Sequence, residues 1–192
     1  AIAFFMLTGE LMTSATITDR LVALSRALIG RIRGGLAQVN VLVSMFFAGM
    51  NGSVVADTAT VGALVLPAMK KAGYPAAFSA AVTGVSSTIG GIIPPSIMMI
   101  VLANSTEISI AALFAAGIIP GVLIGIVIMA INHFFAIKYN FERSDEPFSI
   151  RRAGKELYRS SFALLIPLVL VGSVMGGVAS VVEAGAITAM VA

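Results

Sequence analysis

The chain has 192 residues, of which 58% are hydrophobic and 11% charged, and its mean hydropathy is +1.03. So little polar side chain cannot cover a soluble domain of this size, which argues against a soluble enzyme and for an all-α integral membrane protein. The net charge of +3 comes from 12 Lys and Arg that flank apolar runs, where they act as topology determinants and not as a nucleic-acid patch, and the absence of cysteine removes disulfides and thiolate metal sites.

Residues 1–13 start inside the apolar run AIAFFML and are expected to be the end of a transmembrane helix belonging to a longer protein, with Glu10 seated at the interface. From Thr16 the period changes. Ile17, Leu21, Leu24, Leu28 and Ile32 share one helical face, with Asp19, Arg26 and Arg33 opposite, so residues 16–33 are expected to form an amphipathic helix in the membrane interface or against a partner. The next apolar segment, 35–69, is interrupted by Gly49 to Ser53 and then by Asp57. Each half is shorter than the roughly 20 residues that a straight span needs, which predicts a re-entrant helical hairpin.

Residues 75–103 form another apolar run, broken by Ser86 to Met98, SSTIGGIIPPSIM. Gly90 and Gly91 suit the end of one helix, and Pro94 and Pro95, which lack an amide donor, suit the start of the next. A transmembrane helix is expected over 108–137, with the lone His133 near its basic end; a polar cytoplasmic connector over 138–159; a further span over 161–177; and the start of another helix over 183–192. Lys and Arg cluster at 20 to 33, 70 to 71 and 138 to 159. A hairpin over 35–69 puts all of these on one face, which the positive-inside rule makes cytoplasmic.

Within hydrocarbon, a break in a helix leaves carbonyls and amides that lipid cannot satisfy, so both interruptions should line a protein-enclosed cavity. Their hydroxyl and carbonyl oxygens suit a hard cation such as sodium, and their new helix starts suit a carboxylate. The expected sodium ligands are Asn51, Gly52 and Ser53 at the hairpin tip with Ser87, Thr88 and the backbone near Gly90. The expected substrate contacts are Ser53, Gly91, Pro94, Pro95 and Ser96. Asp57 would repel an anionic substrate, so it is expected to cap the returning helix, turned away from the cavity. The acids and bases Glu10, Asp57, Glu107, His133 and Glu183 are scattered without a motif that groups them for catalysis.

Through GELM, GGLAQVNVLVSMFFAGMNGSVVADTATVG, LPAMKKAGY, SSTIGGIIPPSI and LFAAGIIPG, nearly the whole chain resembles the large membrane subunit of tripartite ATP-independent periplasmic (TRAP) transporters, in the ion-transporter superfamily. Asn51, Gly52, Ser53 and Asp57 match the family's first hairpin motif, and Ser86 to Ser96 match the discontinuous helix that faces it. Where the family often opens its second repeat with Thr-Glu-Ala, Val182 precedes Glu183 and Ala184. The resemblance implies an elevator carrier of two inverted repeats, of which this chain holds the first. It also implies sodium-coupled uptake of organic acids such as dicarboxylates or sialic acid in the bacterial inner membrane, with a small membrane subunit and a soluble periplasmic binding protein as partners. An ion channel, or a sodium/carboxylate carrier that needs no binding protein, is the alternative.

Overall fold

The computed structural model describes residues 7, 17–30, 32–141 and 150–191, and the regular structure among them is entirely helical. The expected helix end at 1–13 with Glu10 and the connector residues 142–149 fall outside the described residues, apart from residue 7. In chain order the helices are α1 (Ile17–Ile29), α2 (Gly35–Asn51), α3 (Val54–Lys71), α4 (Ala76–Ser87), a 3-10 turn (Thr88–Gly91), α5 (Ile97–Thr106), α6 (Ile110–Lys138), α7 (Ile150–Met175) and α8 (Val181–Val191).

Helix α2 is the axis. Its burial continues around the whole circumference, from Ala37, Val39 and Val41 to Val43, Phe47 and Ala48, as expected of a helix without a solvent face. Around it pack α1, α3, α4, α6 and the 3-10 turn. Each is held by its own apolar stripe: Ile17, Leu21 and Leu24 on α1, and Val61, Val65 and Met69 on α3. Helix α1 ends at Ile29, short of the expected residue 33, because Gly30 and residues 32–34 form turns and bends and Gly34 is left-handed before α2. Leu28, in the last turn of α1, and Ile32, beyond it, are both exposed, off the buried stripe.

Helix α6 is the one described helix long and apolar enough to cross a bilayer unaided. At about 1.5 Å per residue it extends about 43 Å, more than the roughly 30 Å of hydrocarbon. It runs antiparallel to α2: Gly34 packs on Ala136, the Gln38 side-chain amide donates to the Met129 carbonyl (2.8 Å), and Gly125 packs on Met45. Where α3 and α6 end, Tyr74 and Phe78 pack on Phe141, with ring centroids 4.5 and 5.2 Å apart, and Tyr139 stacks beside them. That aromatic cluster brings Lys70 and Lys71 to the same end as Lys138, which lies over the Tyr139 ring.

The connector expected over 138–159 is helical at its far end. Residues 150–159 are the first turns of α7, continuous in chain with the apolar part but bent from it by 54° between Ala153–Ser161 and Ala163–Met175. Good helix formers and the Glu156–Arg159 pair (3.5 Å, i,i+3) let a charged stretch stay helical once it leaves the apolar layer. This arm is tied to α1, where Ser160 donates to the Arg20 carbonyl (3.3 Å) and the Arg20 guanidinium donates to the Arg159 carbonyl (3.3 Å). A smaller apolar cluster of Ile100, Phe114, Leu170, Val174 and Ala184 joins α5, α6, α7 and α8.

Candidate functional site: two helix breaks in contact

The turn between α2 and α3 is two residues long. Gly52 takes φ 59°, ψ 20°, a left-handed C-cap that glycine adopts without a Cβ penalty, and its amide donates to the Ala48 carbonyl (3.2 Å). Ser53 is extended and is the N-cap of α3, its hydroxyl accepting from the Ala56 amide (3.4 Å), while the Asn51 side-chain oxygen accepts from the Ser53 amide (3.0 Å). The amides of Val54 and Val55 have no capping partner among the described residues.

The second break is built differently from the sequence expectation. Gly90 and Gly91 do not end an α-helix; α4 stops at Ser87 and tightens into the 3-10 turn that contains them. Pro94 and Pro95 do not open α5 either. They lie buried in the linker before it, and Ser96 is the N-cap, its hydroxyl accepting from the Met99 amide (3.3 Å) and donating to the Gly91 carbonyl (2.7 Å). A serine that can satisfy an orphan amide outcompetes a proline that merely lacks one. Ser96→Ala is therefore expected to cost about 1 kcal/mol. The check is a lower midpoint for heat-induced loss of monodisperse permease.

The two breaks touch. The Gly52 carbonyl accepts from the Ile97 amide (3.2 Å), and a Cβ on Gly52 would overlap the Pro95 carbonyl oxygen. A Cβ on Gly90 would lie 3.7 Å from the Ser53 carbonyl and the Val54 amide. Asn51, Gly52, Ser53, Gly90, Gly91, Pro95 and Ser96 are thus brought to one place, with Pro94 buried behind them against Gly49. Helix α6 closes that place from the side, Gly117 against the Ile92 carbonyl and Gly121 against Ile93.

Two expected ligands lie elsewhere. Thr88 is exposed, and its hydroxyl donates to the Val85 carbonyl (2.6 Å). Ser87 is fully buried, donates to the Thr83 carbonyl (2.8 Å) and faces inward toward Asp57. Asp57 is the clearest correction: Ser53, not Asp57, caps α3. Asp57 falls one turn further on, in phase with Val61, Val65 and Met69, and that phase carries it into the core, where it is 0% exposed. Ser44 and Ser87 flank its carboxyl group, and among the described residues neither oxygen meets a donor in good hydrogen-bond geometry.

Around it lies a buried polar seam that the sequence reading passed over. The Asn40 amide donates to the Thr83 hydroxyl (2.7 Å), Ser86 donates to the Asn40 side-chain oxygen (3.1 Å), and Ser44 donates to Ser86 (3.3 Å). The available signal was spacing: Asn40 and Ser44 are i,i+4 on α2, and Ser79, Thr83 and Ser87 are i,i+4 on α4.

All 192 residues match the family described as the tripartite ATP-independent periplasmic transporter, DctM component. The chain is 36% identical over 192 residues to the sialic acid TRAP transporter large permease protein SiaM of Vibrio cholerae, covering 100% of this chain and 45% of that one. It is 36% identical over 190 residues to the C4-dicarboxylate TRAP transporter large permease protein DctM of Pseudomonas aeruginosa, covering 99% and 44%. It is 37% identical over 192 residues to the 2,3-diketo-L-gulonate TRAP transporter large permease protein YiaN of Escherichia coli, covering 100% and 45%. The chain spans less than half the length of these relatives, which are transporters and not enzymes, and it belongs to the DctM family of TRAP transporter large permease components.

Proposed function

We propose that the chain is part of a sodium-coupled carrier that imports a small organic acid of the dicarboxylate or sialic-acid type across the bacterial inner membrane. It would receive that acid from a periplasmic binding protein and work beside the small TRAP membrane subunit. The observation that carries this reading is the contact between the two breaks, with the Gly52 carbonyl on the Ile97 amide and Gly90 beside Ser53. The three relatives carry sialic acid, a C4-dicarboxylate and 2,3-diketo-L-gulonate in their names, which supports an organic acid as the class.

Depth along α6 supports a re-entrant hairpin. From Ala136, beside Gly34, to Gly121, beside the second break, the rise is about 22 Å at about 1.5 Å per residue, and about 16 Å of α6 continues beyond. The tip therefore turns back within the length of the spanning helix. Carbonyls of the 3-10 turn and the tip offer a cation hard, uncharged ligands, and the Val54 and Val55 amides offer an anion the positive end of α3. Such an end contributes about 0.3–1 kcal/mol when exposed, too little for a carboxylate alone. Substrate binding then depends on the ion next to it, and that dependence is the coupling. The breaks would move as one body in an elevator cycle against elements held at the membrane surface, among them α1.

The test is uptake by the full-length permease with its small subunit and binding protein in proteoliposomes, across a panel of labelled organic acids. Uptake should require an inward sodium gradient. Equal uptake when potassium replaces sodium would overturn the reading.

A further inference from the structure

We propose that the charged first turns of α7, residues 150–161, are a docking surface for anionic phospholipid, with the exposed bases meeting phosphate-bearing headgroups. The inference rests on the chain being part of a membrane permease and not on the ion or the substrate class proposed above. Packing sorts this arm into two faces. Ala153 and Ser160 are buried, whereas Arg151, Lys155, Tyr158 and Arg159, spaced three and four residues apart on the opposite side, are exposed. Tyr158 stands among these bases 83% exposed, and Leu157 beside it is 52% exposed. Aromatic and basic side chains mixed on one face suit the headgroup layer better than either water or hydrocarbon, because the apolar bodies can enter while the charged and hydroxyl ends stay wet.

Charge on this arm is placed against the ordinary preference. The start of a helix favours acids and disfavours cations, yet α7 has no acid in its first turn and carries Arg151 and Arg152 there, with Lys155 in the next. Glu156 is the one carboxylate of α7, and it reaches Arg159 (3.5 Å). Helix α1 then adds a further cation, since the Arg20 guanidinium donates to the Arg159 carbonyl (3.3 Å). So much like charge repels itself unless an anion from outside the chain neutralises it. Geometry points to the bilayer and not to an acidic protein as that source. The arm runs directly into the apolar part of α7 and is bent from it by 54°, which turns it toward the membrane plane at the level where that apolar part ends. The apolar stripe of α1, Ile17, Leu21 and Leu24, is buried among its neighbours α2 and α7, so α1 cannot enter lipid by that face. It is held instead through the arm, by the Ser160 and Arg20 bonds. Headgroups bound on the arm would therefore set the level of both helices.

The experiment places a bimane label at Tyr158→Cys in the full-length permease with its small subunit, in an otherwise cysteine-free background, and reads its quenching by brominated lipids in nanodiscs. Each Lys or Arg near an anionic surface strengthens the attraction by about fivefold. Brominated phosphatidylglycerol should accordingly quench at a mole fraction at least about fivefold lower than brominated phosphatidylcholine. Arg151→Gln/Lys155→Gln/Arg159→Gln should bring the two lipids to near equality, while Lys70→Gln/Lys71→Gln, at the end of α3, should leave the preference unchanged. Raising NaCl from about 0.1 to about 1 M, which shortens the screening length from about 10 to about 3 Å, should weaken the preference in the labelled protein. Equal quenching by both lipids overturns the proposal, and it is the result expected if Glu142, Asp145 and Glu146 of the preceding segment neutralise the arm. Quenching by neither lipid overturns it in favour of a protein partner covering the arm. A preference that survives the triple substitution, or that falls equally in the Lys70 and Lys71 variant, assigns it to the general charge of the permease and overturns it too. If the triple variant does not fold, the salt series decides, and a preference indifferent to salt rejects headgroup binding. No uptake is measured, so failure of sodium-coupled transport would leave this result standing, and failure here would leave the transport reading standing.

Discussion

Gly52→Ala is expected to abolish uptake and to destabilise the hairpin tip by about 3 kcal/mol, from two separable sources. The left-handed conformation at φ 59° costs an alanine roughly 1–2 kcal/mol relative to glycine. The new methyl group would also overlap the Pro95 carbonyl oxygen, a backbone atom that cannot rotate aside. The second break would have to retreat, and with it would go the hydrogen bond from the Ile97 amide to the Gly52 carbonyl, about 1 kcal/mol of net stability. Gly73 is the matched control: its φ is 80°, and no atom lies within 4 Å of the position a Cβ would take. Gly73→Ala should show the conformational cost alone, lowering heat stability modestly and leaving uptake intact. Equal loss of uptake in both variants would mean that strain, and not contact between the breaks, is what function depends on.

The two interruptions were legible because glycine and proline act locally. Gly52 needs a positive φ, and the paired glycines and prolines of 86–98 cannot continue an α-helix, whatever surrounds them. What pattern could not supply was which residue at each break does the capping. Ser53 and Asp57 are both acceptable caps in isolation, as are Pro95 and Ser96 as helix openers. The outcome turns on where α3 and α5 begin, and that is fixed by the docking of Gly52 on Pro95 and Ile97, a contact between residues more than forty positions apart. The polar seam was hidden for a related reason. Asn40 and Ser44 lie on a helix buried on all sides, so no polar face sets them apart, and their partners Thr83 and Ser86 are on a helix that only tertiary packing brings near. The start of α7 is charged and still helical, because charge excludes a segment from hydrocarbon and not from a helix.

The glycines of α6 provide a graded test of whether the second break is seated on the spanning helix. Gly117, Gly121 and Gly125 recur every four residues on one face, yet each meets a different kind of neighbour. At Gly117 an added methyl group would overlap the Ile92 carbonyl oxygen and the end of Met99; at Gly121 it would overlap the Ile93 side chain; at Gly125 it would meet the thioether of Met45. A backbone carbonyl can yield only if the linker moves, a β-branched side chain yields by changing rotamer at some cost, and a methionine yields readily. Overpacking of the first kind costs about 1–3 kcal/mol, whereas Gly→Ala in a helix interior returns up to about 1 kcal/mol of helix propensity. Loss of heat stability should therefore fall in the order Gly117→Ala, Gly121→Ala, Gly125→Ala, with the last close to neutral. Uptake should follow the same order, because displacing Ile92 and Ile93 moves the 3-10 turn and Ser96 away from the hairpin tip. Three equal losses would mean that the helix itself, and not the side chain or backbone opposite each glycine, absorbs the change. A neutral Gly117→Ala would detach the second break from α6 and remove the argument that places the hairpin tip within the membrane by its level along that helix.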